Sequence, residues 1–171
     1  MNNIILVGYM GSGKSTVGKH LARTLGYTFV DTDEMIEEQE KTTINDIFAT
    51  RGEQSFRDME TALLEKLIAD KLEGLVVSTG GGMPLREENR KLMAKLGKVV
   101  YLKASPETIY ERLEGDTTRP LLQCDNPRKK IKEMIAVRGA IYEESAFTVV
   151  NVDNLKQSEA AEKIIRRTRG E

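Results

Sequence analysis

The chain is 171 residues long, 31% charged and 39% hydrophobic, with a formal net charge of −1. That length suits one domain, spanning 1–171, with a substantial core. Near-neutral charge with both signs interspersed excludes the basic footprint of a nucleic-acid binder, and no run approaches the roughly 20 apolar residues of a membrane helix.

Residues 2–7, NNIILV, form a short apolar run of the kind that fills a buried parallel strand. GYMGSGKST follows at 8–16 and fits G-x-x-x-x-G-K-[ST] through Gly8, Gly13, Lys14 and Ser15. Val17, Leu21 and Leu25 then recur at helical spacing. Strand, glycine loop and helix thus succeed one another as a phosphate-binding loop requires. Gly11 and Gly13 let the backbone turn its N–H groups inward, and the helix starting near Lys14 adds its positive dipole end. In such a loop Lys14 reaches the β- and γ-phosphates, and the Ser15 hydroxyl ligates Mg²⁺.

GYTFVDTD (26–33) reads as a second strand ending in two aspartates. A mixed-charge helix over about 33–41 and a short one around 44–50 come next, then a long amphipathic helix over 53–72 with Phe56, Met59, Leu63 and Leu67 on its apolar stripe. GLVVSTGGG (74–82) gives a third strand and a second glycine turn. A helix over 86–96 and a strand over 97–104 follow, and Ser105-Pro106 caps a further helix. A polar segment at 115–127 interrupts the alternation. The last elements are a helix over about 127–144, a strand over 147–152 and a helix capped by Ser158, whose terminus is balanced by Arg166, Arg167 and Arg169. Five apolar strands alternating with helices specify an α/β fold, a five-stranded parallel sheet covered on both faces.

Ligands of such sheets bind beyond the carboxyl ends of the strands. The glycine loop, Asp31 and Asp33, and TGGG (79–82) all occupy those ends, so they should converge. Asp31-Thr32-Asp33 suits a helix cap. Facing a nucleotide, one carboxylate could equally hold the Mg²⁺ shell while the other meets an acceptor hydroxyl. Three bare glycines admit a close approach by a ligand or a loop, or make a plain turn. Arg57 could pair with Glu60 at i, i+3 as a surface feature, or grip an anionic acceptor in bidentate fashion. Arg138 invites the same two readings. Phe48 and Phe56 read as core. GDTTRPLLQCDNP (115–127) has the composition of a mobile lid, with Arg119 its functional candidate. His20 lies among Lys19 and Arg23, off the apolar stripe, and reads as a solvated helix residue.

GYMGSGKST, DTD, FRDME, TGGG, RPLL and Arg138 followed by YEESA stand in the order and spacing of the shikimate kinases, and the chain resembles that family over nearly its whole length. The resemblance implies the nucleoside-monophosphate-kinase version of the P-loop fold, and transfer of the ATP γ-phosphoryl group to the 3-hydroxyl of shikimate on the route to chorismate and the aromatic amino acids. It implies ATP binding by Gly11, Ser12, Gly13, Lys14, Ser15 and Thr16, with Arg112 packing on adenine. Asp33, Arg57, Gly80, Gly81, Gly82 and Arg138 would bind shikimate within an acceptor region at about 31–60 and beyond. Lys14, Asp33 and Arg119 would be catalytic, the two cations neutralising the transferring phosphate. Mg²⁺ would be held by Ser15 and, through water, by Asp31. A monomer is implied. The chain departs from the family pattern at Ala140, where many members have proline, and its third strand ends in Ser78-Thr79 with no Walker-B aspartate, as the family's does.

Shikimate carries one carboxylate and several hydroxyls, which independently calls for arginines at one end of the pocket and an aspartate at the other. A gluconate or other small-metabolite kinase of the same fold is the nearest alternative. A nucleoside monophosphate acceptor lacks a motif for its base, and an ATP sensor without an acceptor has no use for the Asp33, Arg57 and Arg138 set. The lone Cys124 cannot form an internal disulfide, and the short apolar start lacks the basic flank of a signal peptide, so a cytoplasmic protein is expected.

Overall fold

In the computed structural model, which describes residues 2–114 and 125–171, the apolar runs become five strands. These are β1 (Asn3–Val7), β2 (Thr28–Asp31), β3 (Leu75–Ser78), β4 (Gly97–Lys103) and β5 (Thr148–Asn151). They form one sheet in the order β2-β3-β1-β4-β5, with every pairing parallel. All five residues of the central strand β1 are buried. Since alternate residues of a strand point to opposite faces, helices must cover the sheet on both sides. The edge strands β2 and β5 are only partly buried and carry polar residues such as Thr28, Asp31, Thr148 and Asn151.

One polar residue sits inside the apolar opening run. The Asn3 amide is buried, accepts from Leu75 N–H at 2.9 Å, and donates to the carbonyls of Leu72 and Leu96 at 2.8 and 3.0 Å. It joins the amino end of β1 to the segments entering β3 and β4, on the side of the sheet opposite the carboxyl-end loops.

The described helices are α1 (Lys14–Leu25), α2 (Thr32–Glu40), α3 (Ile44–Ala69), α4 (Glu87–Leu96), α5 (Pro106–Leu113), α6 (Pro127–Ser145) and α7 (Gln157–Thr168). Packing pairs α1 with α7, α3 with α4, and α5 with α6. The two helices expected over 44–72 are present as the two parts of α3, which meet at Gly52, whose φ of 82° and ψ of 167° break the helical path. Thr43 caps its start by accepting from Asp46 N–H, and Ser105 caps α5 by accepting from Thr108 N–H. Asn126 and Pro127, expected in the lid segment, instead open α6, with Asn126 accepting from Lys129 N–H. That helix runs unbroken through Ala140, which keeps the backbone N–H that proline lacks.

Ser158 is not the cap of α7. The cap position is Lys156, whose N–H donates to the Glu159 carboxylate at 3.1 Å, so the acidic side chain in the first turn does the capping. Phe56 is core, as expected, but its ring partner Phe48, 5.1 Å away, is exposed. No helix among the described residues is long and apolar enough to cross a membrane.

Candidate active site

The loop between β1 and α1 turns through Gly13, which has a left-handed φ of 91° and offers no side chain to cap the helix. The first N–H groups of α1 therefore have no side-chain cap at the helix's positive end, as anion binding requires. The Lys14 ammonium lies over the same loop, donating to the carbonyls of Gly8 and Tyr9 at 2.6 and 3.1 Å. A cavity of about 290 Å³ lies against this helix end and is lined by Lys14, Ser15, Asp31, Asp33, Gly80 and Gly81, among others. The convergence expected at the strand ends is present.

The helix-cap reading of Asp31 holds. Its Oδ1 caps α2 by accepting from Glu34 N–H at 3.1 Å, while its Oδ2 accepts from the Ser15 hydroxyl at 3.4 Å. A hydroxyl and a carboxylate so placed are hard oxygen donors of the kind Mg²⁺ takes alongside phosphate oxygens. Among the described residues no three His, Cys, Asp or Glu side chains gather into a metal site. A cation here would need to complete its shell with phosphate and water. Thr79, at the end of β3, is occupied otherwise: its hydroxyl donates to Leu6 C=O at 2.8 Å.

Asp33 lies in the first turn of α2 and points under the second glycine turn. Its Oδ1 is buried and has no hydrogen-bond partner among the described residues. Burial pushes its carboxyl up to about 6, the Asp31 charge adding to the rise and the Lys14 and Arg57 charges opposing it. A side chain on Gly80 would place its Cβ 2.6 Å from that Oδ1, so only glycine lets the turn close over Asp33.

The Arg57–Glu60 pair exists but is not the surface feature it could have been. Arg57 Nη1 lies 2.6 Å from Glu60 Oε1, with the Glu60 side chain fully buried and that of Arg57 13% exposed. Burial pushes the Glu60 carboxyl up to about 7 against the lowering pull of the Arg57 hydrogen bond and charge. A second carboxylate, that of Glu53, approaches Arg57 Nη2 at 3.3 Å. The guanidinium packs against Gly82, where a Cβ would overlap it. Arg138, on α6, faces Gly81: a Cβ there would lie 3.6 Å from its Nη1.

Arg112, at the end of α5, donates to Gly11 C=O at 3.2 Å and lies beside Gly13. It lines a second, larger cavity of about 610 Å³ that shares Gly13 and Thr16 with the first. The far wall of this cavity is Val152, Leu155, Lys156 and Gln157, the segment leaving β5. Sequence reading missed that wall, because it carries no motif and only the sheet order brings it beside the loop after β1. His20, on α1 and partly exposed, is also part of the lining. Ser12 lies within the phosphate loop, buried, with its Oγ lacking a partner among the described residues. Arg119, Cys124 and the lid segment from 115 to 124 lie outside the described residues.

A parallel α/β sheet with a phosphate loop after its first strand, with Asp31 and Asp33 lining the adjoining cavity and Arg57 and Arg138 packed on the glycine turn beside it, defines a P-loop phosphotransferase for a small acceptor. The sequence model of the family described as shikimate kinase matches residues 10–169. The shikimate kinase of Thermodesulfovibrio yellowstonii is 44% identical over 166 residues, which cover 97% of this chain and 94% of the relative. The solved structure of shikimate kinase from Acinetobacter baumannii in complex with shikimate superposes with a TM-score of 0.91 at 38% identity, covering 99% of this chain and 94% of that one. The chain belongs to the shikimate kinase family. A gluconokinase structure from Sinorhizobium meliloti, at 22% identity and a TM-score of 0.57, shares the fold alone.

Proposed function

We propose that the protein transfers the γ-phosphoryl group of ATP to the 3-hydroxyl of shikimate, giving shikimate 3-phosphate and ADP. One observation carries the site assignment. Three consecutive glycines each face one of three acceptor-binding side chains: Gly80 faces Asp33, Gly81 faces Arg138, and Gly82 faces Arg57. The bare turn thus separates a carboxylate from two guanidiniums. That spacing suits an acceptor with a hydroxyl at one end and a carboxylate at the other, since arginine grips a carboxylate through two parallel N–H bonds.

In this reading ATP lies across the two joined cavities. Its phosphates occupy the loop of Gly11, Ser12, Gly13, Lys14, Ser15 and Thr16, and its base the larger cavity beside Arg112. Asp33 orients the 3-hydroxyl and accepts its proton as the oxygen forms a bond to the γ-phosphorus. The bond to the β–γ bridging oxygen breaks, and that electron pair leaves on ADP. Lys14 leaves its loop carbonyls for the phosphate oxygens and stabilises the charge that spreads over them. Ser15 and, through water, Asp31 would hold Mg²⁺, which would supply neutralising charge at the phosphates. Arg119 is assigned to the same phosphate by resemblance alone. A single domain acting as a monomer is assigned by resemblance alone. A lone cysteine and the absence of a membrane-crossing helix among the described residues support a cytoplasmic location.

The test is a coupled ADP-release assay with shikimate, gluconate and AMP in parallel. Shikimate should be the preferred acceptor by orders of magnitude in kcat/KM. Faster turnover with gluconate, or ATP hydrolysis unchanged by any acceptor, would overturn the assignment.

A further inference from the structure

Tyr142 is buried to 1% exposure, one helical turn beyond Arg138 on α6, so the two side chains share a face. Its ring packs on that of Tyr101, with centroids 5.2 Å apart and the planes tilted by 46°. Its hydroxyl donates to Gly81 C=O at 2.7 Å. A Cβ on Gly81 would lie 3.6 Å from both Arg138 Nη1 and Tyr142 Oη, so the glycine backbone, the guanidinium and the phenol meet at one point.

From this geometry we infer that Tyr142 is a positioning residue for acceptor binding, its hydroxyl holding the Gly81 peptide and the Arg138 guanidinium in the arrangement that receives the shikimate carboxylate. The inference rests on the reading of Arg138 as a carboxylate ligand. With its proton committed to Gly81 C=O, the hydroxyl oxygen keeps its lone pairs for the Arg138 N–H groups. Because the peptide is planar, anchoring that carbonyl also sets the direction of the Gly82 N–H. Arg138 interacts with the hydroxyl, yet burial pushes the phenol up to about 12, so it stays protonated at every pH at which the enzyme would work. The buried ring on Tyr101 gives the hydroxyl a rigid mount, as a supporting group needs in order to hold a ligand-binding side chain.

Tyr142→Phe removes the hydroxyl and keeps the ring. The expected result is a rise of about tenfold in the KM for shikimate, with kcat within threefold and the KM for ATP within twofold of wild type. Arg138→Ala should raise the shikimate KM further, and the double variant should lose clearly less than the product of the two single losses, since Tyr142 acts in part through the arginine. An unchanged shikimate KM in Tyr142→Phe would overturn the inference, as would additive effects or parallel losses for both substrates. If Arg138→Ala itself left shikimate binding intact, the underlying reading of the site would fall instead. In the wild-type protein without ligand, the Nε–Hε order parameter of Arg138 should lie near that of rigid backbone, and a value below about 0.6 would show a free side chain and overturn the inference.

Discussion

Arg57 Nη1 sits 2.6 Å from Oε1 of Glu60, a carboxylate with no exposed surface, while Oε2 of the same group has no partner among the described residues. A buried ion pair costs desolvation on both sides, and its retention is understandable where one partner must be held in a single orientation. Glu60 holds Arg57 against Gly82, at the edge of the proposed acceptor pocket.

Cutting that pair should therefore affect both stability and binding. Glu60→Ala leaves a mostly buried guanidinium with only the exposed Glu53 carboxylate, and breaking a buried pair typically costs about 3–5 kcal/mol. The partial exposure of Arg57 places the expected loss at or below the lower end of that range. Denaturant titration should show it, and calorimetry should show shikimate affinity falling more than tenfold with ATP affinity retained. Full stability and full shikimate affinity in Glu60→Ala would remove the pair from the site.

Gly80→Ala would force a methyl group to within 2.6 Å of Asp33 Oδ1, closer than packed atoms allow. Either the turn or the carboxylate must shift, and misplacing a reacting group by about 1 Å can cost a hundredfold in rate. Steady-state kinetics should show kcat falling by that order while the protein stays folded by circular dichroism. Wild-type kcat would mean that Asp33 is not held by this turn.

Lys14→Met removes the cation proposed to meet the phosphates while keeping the side-chain length. Loss of one preorganised charge at a developing anion typically costs about 3–4 kcal/mol, or 10²- to 10³-fold in kcat. Rapid-quench measurement of the chemical step should show that loss. Transfer within tenfold of wild type would show the lysine to be part of the loop's structure only, in keeping with its bonds to Gly8 and Tyr9 carbonyls.

As the proposed base, Asp33 should set the pH profile. Burial pushes its carboxyl up to about 6 in the ligand-free protein, so the proposed base is ionised above that pH and protonated below it. The logarithm of kcat/KM for shikimate, which reports free-enzyme groups, should rise with unit slope up to about pH 6 and then level. Asp33→Asn should be slow throughout and lack that inflection. An acid limb unchanged in Asp33→Asn would assign it to another group.

The same groups shape stability. Asp33 rises from 3.8 to about 6 and Glu60 from 4.5 to about 7 on folding. A carboxyl raised in this way contributes stability that is fully present below its unfolded value and lost as pH climbs through its folded value. The window therefore runs from about pH 4 to pH 7. Relative to wild type, the Asp33→Asn/Glu60→Gln double variant should gain stability steadily across that window and reach a plateau beyond it. Thermal unfolding in overlapping buffers would measure this, and a difference independent of pH would contradict both shifts.

Much of this was determined by local sequence. The order of strands and helices follows from apolar runs of four to seven residues separated by amphipathic stretches, and the phosphate loop from a spacing whose backbone geometry few sequences other than Gly-x-Gly-Lys-Ser can adopt. The capping of α5 by Ser105 and the break in α3 at Gly52 are likewise local, set by one residue's side chain or dihedral preference. Ser158 misled because a serine near a helix start looks like a cap, whereas Glu159 reaching back to the Lys156 N–H satisfied the helix end first.

Burial and cross-chain proximity were decided only by the tertiary structure. The spacing of Arg57 and Glu60 is the same whether the pair faces water or the core, and only the packing of α3 beneath the glycine turn makes Glu60 a buried carboxylate. Likewise, parallel pairing of β2 with β3 sets Asp33 under Gly80, 47 positions further along the chain, and the packing of α6 against the sheet sets the Tyr142 hydroxyl on Gly81, 61 positions earlier. The Val152 to Gln157 wall has no signature because its role comes from the place of β5 in the sheet. A sequence specifies which groups are available. The free energy of packing those elements together determines which of them lose water, and so which carboxylates rise, which arginines are held, and where a substrate can fit.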